Sequence, residues 1–157
     1  MNEKSEKYVK TGEAFVSKAP EILISLGVGS CVIVCLYEEN KKIGGMIHAM
    51  LPSILGRENP DKSEYLFVDK GLQKLINEIE DIGCKKEDLT AKIIGGAEMF
   101  KKLSINSINL GNLNVNSAKM LLEKESIKII SEDTGGNSGR SVKFYLENGQ
   151  IEIIKRI

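Results

Sequence analysis

A chain of 157 residues, 41% hydrophobic and 28% charged, is long enough to bury a core without metals or disulfides and too short for a second one. Lysine plus arginine and aspartate plus glutamate number 22 each, so no net field favours nucleic acid or an anionic membrane surface. The expected partner is a protein or a small molecule, and the expected organisation is one domain over residues 1–157.

The opening MNEKSEKYVK is polar and lacks the apolar centre of an export signal, and the longest apolar run, around residues 32–36, is too short to span a bilayer. A cytoplasmic protein without membrane insertion is expected. Three cysteines, Cys31, Cys35 and Cys84, are an odd number for a disulfide framework, and reduced thiols follow. The single histidine is His48, so any imidazole chemistry must use it.

In chain order, alternating residues predict strands over 7–16 and 21–26, separated by the turn signal Lys18-Ala19-Pro20. The β-branched run 32–37 predicts a third strand. The polar stretch 38–42 reads as a turn, and apolar residues 43–51 read as a returning strand that stops at Pro52, together a hairpin. Residues 53–63 read as a loop. Val68, Leu72, Leu75, Ile76, Ile79 and Ile82 recur at helical spacing before Gly83, predicting an amphipathic helix over 64–82. A buried strand over 91–94 ends at Gly95-Gly96. An asparagine-rich lead-in suited to capping precedes a second helix over 115–124. A strand over 127–131, a glycine-rich loop over 132–140, and a hairpin of strands 142–147 and 150–155 complete the chain. Asn148-Gly149 suits a two-residue I′ turn there. Many strands and two helices predict an α+β fold of packed sheets, a β-sandwich, flanked by helices.

One stretch carries chemistry. In Leu26-Gly27-Val28-Gly29-Ser30-Cys31 a cysteine follows two glycines that permit a sharp turn. With the hairpin turn centred between Glu39 and Asn40, Cys31 and His48 oppose each other directly, and directly opposed Cβ atoms lie roughly 4.5–5.5 Å apart. A free thiol, with a pKa of about 8.5, gains thiolate character beside an imidazolium or a proton-accepting imidazole. Backbone N–H groups around Ser30 and Cys31 suit an oxyanion, and Gly29 and Ser30 suit contact with the substrate. Ser25, on the strand entering the turn, suits the third group that orients the imidazole, through its hydroxyl or its carbonyl. The plain alternative is that Cys31 is a small core hydrophobe and His48 a satisfied core histidine. Cys35 and Cys84 read as packing residues. A zinc site of three cysteines and His48 lacks the short knuckle spacing that such sites use. Gly135, Gly136 and Arg140 form an anion-cradling or peptide-lining loop on one reading and an ordinary turn on the other. The lysine and following helix of a phosphate loop are missing.

The run LGVGSCVIVCLYEENKKIGGMIHAMLP (residues 26–52), together with IIGGAEMF (93–100) and SEDTGGNSGR (131–140), resembles the chemoreceptor glutamine deamidase family, CheD, from about Tyr8 to the C-terminus. The resemblance implies hydrolysis of receptor glutamines to glutamates with release of ammonia, no cofactor, and a fold similar to the catalytic domains of deamidating toxins. The family's nucleophile falls on Cys31, its histidine on His48 and its threonine on Ser25, where serine keeps the hydroxyl but loses the methyl that stiffens χ1. Implied partners are the cytoplasmic helices of methyl-accepting chemotaxis receptors and a CheC-type phosphatase. A weakly catalytic module that activates such a phosphatase, and another cysteine hydrolase such as a protease or transglutaminase-like enzyme, are the competing expectations.

Overall fold

The computed structural model of this chain describes residues 5–99 and 109–156; Phe100 of the second quoted motif lies outside them. Nine strands of the described residues form two sheets. The four-stranded sheet runs β1 (Glu6–Tyr8), β3 (Ile22–Val28), β8 (Arg140–Tyr145), β9 (Ile151–Lys155). The five-stranded sheet runs β2 (Glu13–Lys18), β5 (Ile43–Ala49), β4 (Val32–Glu38), β6 (Leu89–Gly95), β7 (Lys128–Thr134). β1 lies parallel to β3 and β6 parallel to β7, and the other pairings are antiparallel.

The continuous apolar run of β4 has a physical cause: this strand is central and buried on both faces. Val32, Val34 and Leu36 pack against helices α1 (Val68–Asp81) and α2 (Leu110–Lys124), while Ile33, Cys35 and Tyr37 pack against the four-stranded sheet. From the helical side come Leu72, Leu75, Ile76 and Ile79 of α1 and Val115, Ala118 and Leu122 of α2. Truncating one of these leucines to alanine costs about 2–5 kcal/mol. The α+β arrangement of packed sheets with flanking helices is therefore as expected, with both helices against one face of the five-stranded sheet.

Several boundaries move, each for a tertiary reason. The strand expected over 7–16 is two strands in different sheets, divided at residues 9–12, where Gly12 takes φ +82°. The helix expected from residue 64 begins at Val68, after a 3-10 turn at Glu64–Leu66. Buried Phe67 stays extended because it bridges to Leu51, whose carbonyl accepts from the Val68 N–H at 2.8 Å. α2 starts earlier than residue 115, capped by Asn109, whose side chain accepts from the Asn112 N–H. β7 continues to Thr134 and β8 starts at Arg140, so part of the expected loop over 132–140 is strand. The last hairpin forms without the expected I′ turn: Gly149 takes φ +77° but Asn148 does not have positive φ. Its loop spans residues 146–150, because Leu146 is drawn into the core and Gly149 lies against the Tyr37 ring.

Candidate active site

Cys31 stands in the turn between β3 and β4. A bulge interrupts β3 between Ser25 and Val28, with Gly27 at φ +61°, and redirects the chain toward the second sheet. Three successive carbonyls then fix the turn. Gly29 O accepts from Ala97 N at 3.0 Å, Ser30 O from Asn114 Nδ2 at 2.9 Å, and Cys31 O from Gly96 N at 2.8 Å. The same Asn114 amide donates to Met50 O at 2.9 Å, so one buried side chain ties the turn bearing Cys31 to the end of the strand bearing His48.

The hairpin register differs by one residue from the sequence expectation. Glu38 pairs with Ile43 across residues 39–42, which centres the turn between Asn40 and Lys41. The Glu38 carboxylate accepts from the Lys41 N–H, and Lys42 takes the left-handed φ of +53° that such a loop needs. His48 is therefore opposite Ile33, not Cys31. Alternation still leaves Cys31 on the His48 face, as a diagonal neighbour, and diagonal positions are roughly 7–8 Å apart.

The space between them is served by residues 9–12, the corner that crosses from one sheet to the other. The N–H of Gly12 donates to His48 O at 2.8 Å, and the Ser63 hydroxyl donates to Gly12 O at 2.7 Å, securing the corner from the loop side. His48 Nδ1 lies 3.2 Å from Val9 O. A carbonyl only accepts, so Nδ1 carries the hydrogen and Nε2 presents its lone pair. Nε2 lies 3.3 Å from Thr11 Oγ1. Ser25 is 1% exposed, and its hydroxyl donates to the same Val9 O at 2.8 Å and contacts Met46 Sδ at 3.3 Å. Val9 and Thr11 were missed from sequence. The available signal was Gly12, which is out of place inside a ten-residue strand.

Burial pushes the Cys31 thiol above its ordinary pKa, opposed by the Thr11 side chain and by the cysteine's own backbone N–H. Burial holds His48 below its ordinary value, opposed by Val9 O and then by the charge of Glu13. Both shifts favour a neutral thiol beside a neutral imidazole. His48 and Thr11 reach solvent through a cleft of ≈ 290 Å³ whose rim includes Tyr8, Leu26 and Lys10. Tyr8 is 50% and Leu26 59% exposed.

The other residues singled out from sequence stand apart from this cleft. Arg140 is 4% exposed and spends its donors within the protein: Nε on Asp133 at 3.2 Å, Nη1 on Gly95 O at 3.4 Å, and Nη2 on Gly135 O at 2.8 Å. Gly136 O accepts from Glu98 N at 2.8 Å. The loop thus braces residues 95–98, which hold the Cys31 turn. Gly135 and Gly136 also line a second cleft of ≈ 380 Å³ with Glu98 and Asn109. Cys35 is buried between the sheets, whereas Cys84 belongs to the helix-side core beyond the five-stranded sheet. Among the described residues no group of three or more His, Cys, Asp or Glu is placed to hold a metal ion, and no helix is long and apolar enough to cross a membrane.

Comparison with known proteins adds a family to this geometry. The family model described as CheD chemotactic sensory transduction matches residues 50–155. The chain is 42% identical over 147 residues to the "Probable chemoreceptor glutamine deamidase CheD" of Methanococcus vannielii, covering 94% of this chain and 93% of that protein. The chain belongs to the CheD family. The "Chemoreceptor glutamine deamidase CheD" of Thermotoga maritima is 39% identical over 151 residues, covering 96% of this chain and 92% of that CheD. A further CheD relative, from Pyrococcus abyssi, is 39% identical over 152 residues, covering 95% and 91%. Among solved structures, Neisseria meningitidis protein NMB0706 of family-model DUF152 superposes with TM-score 0.52 at 9% identity, covering 85% of this chain and 64% of that one. Bacillus licheniformis hypothetical protein YfiH superposes with TM-score 0.50 at 13% identity, covering 78% and 51%. These two structures bear on the fold alone.

Proposed function

We propose that this CheD-family chain hydrolyses selected glutamine side chains on methyl-accepting chemotaxis receptors to glutamate, with Cys31 as nucleophile and His48 as base and acid. The observation that carries this reading is the imidazole held at Nδ1 by Val9 O, with His48 lining the cleft and Cys31 on the same strand face. Relatives described as chemoreceptor glutamine deamidases supply the substrate class.

In this mechanism the thiol proton is taken toward Nε2 as sulfur attacks Cδ of the glutamine amide. Imidazolium then protonates the amide nitrogen, which departs as ammonia. The neutral imidazole next activates a water that hydrolyses the thioester, returning thiol and glutamate. Ser25 positions Val9 O. The backbone at Gly29 and Ser30 is the proposed oxyanion contact, Gly135 and Gly136 line the neighbouring receptor-facing cleft, and Arg140 supports that loop from within. No cofactor enters. A cytoplasmic location, a CheC-type phosphatase competing for the Cys31 face, and kinship with deamidating toxin domains belong to the same proposal.

The deciding experiment is mass spectrometry of a cognate receptor's cytoplasmic fragment after incubation with the protein. Wild type is expected to add about 1 Da per modified glutamine, and Cys31→Ala and His48→Ala none. Unchanged conversion by either variant overturns the catalytic assignment, and cleaved or amine-modified receptor points to a different cysteine hydrolase.

A further inference from the structure

We propose that the Thr11 hydroxyl relays the Cys31 thiol proton to His48 Nε2. The proposal rests on the deamidase reading above and adds a further side chain to it. With Nδ1–H committed to Val9 O, the basic atom of the ring is Nε2, and the polar side-chain atom it meets is Thr11 Oγ1, at 3.3 Å. A hydroxyl can donate one hydrogen bond while accepting others, so it can give its proton to Nε2 while receiving one from sulfur. The one-residue register difference makes such a bridge useful, because it moves Cys31 from the position opposite His48 to a diagonal one.

Thr11 is placed there by the corner between β1 and β2, which Gly12 turns at φ +82° and which two hydrogen bonds hold, Gly12 N to His48 O and Ser63 Oγ to Gly12 O. The hydroxyl is thus anchored through the backbone to the same residue whose ring it serves. The Thr11 side chain also opposes the rise that burial imposes on the Cys31 thiol.

The step balances. As the sulfur–carbon bond forms, the thiol proton passes to Thr11 Oγ1 and the original Thr11 hydroxyl proton passes to Nε2. The result is a neutral threonine, an imidazolium and the tetrahedral oxyanion. Reversal of the same path delivers the proton to the amide nitrogen of the tetrahedral intermediate, which leaves as ammonia. Charged groups facing this site are Glu13, paired with His48 on the neighbouring strand, and Lys10 on the cleft rim.

Thr11 is exposed, so Thr11→Val preserves shape without emptying the core. With the receptor fragment as substrate, Thr11→Val is expected to lower kcat about 10–100-fold with KM little changed, within the range of proton-transfer catalysis. Thr11→Ser should stay within a few-fold of wild type. Because a donor to Nε2 stabilises the neutral ring, its loss should move the acid limb of kcat/KM to higher pH. Iodoacetamide alkylation of Cys31 should also show a higher thiol pKa in Thr11→Val at unchanged thermal stability. Wild-type kcat and pH profile in Thr11→Val overturn the relay. Absence of deamidation by wild type overturns the deamidase reading instead. Alkylation needs no receptor, and an unchanged Cys31 pKa in Thr11→Val then overturns the role of Thr11 independently.

Discussion

Ser25 and His48 do not touch through their polar atoms; they meet at a third one, Val9 O, which accepts from Ser25 Oγ at 2.8 Å and from His48 Nδ1 at 3.2 Å. On the proposed mechanism, serine where the resemblance implies threonine keeps this support, because the hydroxyl serves the carbonyl and not the ring. Ser25→Ala is expected to cost about 0.5–1.5 kcal/mol of stability through loss of one buried hydrogen bond, and to lower kcat about tenfold by freeing the ring. Ser25→Thr should change kcat less than about threefold, since the bond is already made. Denaturant melts and receptor deamidation rates check both, and a sharp gain in Ser25→Thr favours the weakly catalytic binding module.

The acid limb of kcat/KM should fall below the ordinary histidine value of 6.5, because burial disfavours the charged ring more than Val9 O and Glu13 favour it. Activity needs the neutral base, so it rises with pH through that lowered value. The Cys31 thiol ionises above its ordinary 9.0, so a resting thiolate contributes nothing near neutrality. The linkage sign agrees. Below pH 6.5 the unfolded chain binds a proton at His48 before the native one does, so stability falls as pH falls from there toward the native value. Rate profiles and melts between pH 5 and 9 of wild type and His48→Gln measure this, and His48→Gln should lose that component.

Gly95 closes β6 at φ +110°, and a Cβ there would lie 2.5 Å from Cys31 O. Gly95→Ala is expected to cost about 1–3 kcal/mol in backbone strain alone. Most activity should go with it, because the relieving movement displaces the Cys31 carbonyl and with it the nucleophile. A lowered melting temperature together with slowed Cys31 alkylation is the expected signature.

Leu26 is 59% exposed on the rim of the His48 cleft, beside Tyr8. A receptor helix presenting glutamine to the cleft would cover it. Burying a leucine is worth about 1.5–3 kcal/mol in full, so Leu26→Asp should raise KM roughly tenfold or more while leaving Cys31 alkylation by a small reagent unchanged. A loss confined to kcat would place the receptor on another face.

The layers were legible where a residue's partners are near in sequence. The β4 run, the heptad-like spacing of α1 and the polar breaks between them reflect packing on faces that alternation already reveals. Cys31 and His48 were legible as residues but not in register, because the register depends on Lys42 accepting a left-handed conformation and Glu38 capping the turn. Val9 and Thr11 were illegible. Their placement beside His48 comes from a corner that carries the chain between sheets, and alternation reads straight through such a corner. Arg140 suggested a ligand-facing cation in sequence, but its bonds to Asp133, Gly95 and Gly135 arise only once β6 and β8 lie together.

The carbonyl that aims the imidazole follows directly on a strand of three exposed residues, β1, hydrogen-bonded along one side to β3. The aim of the proposed base is therefore only as secure as this strand, the shortest among the described residues. Peeling Glu6–Tyr8 from its neighbour would slacken Val9 and Thr11 together, silencing the chemistry while the sulfur, the ring and the whole of both cores stayed where they were.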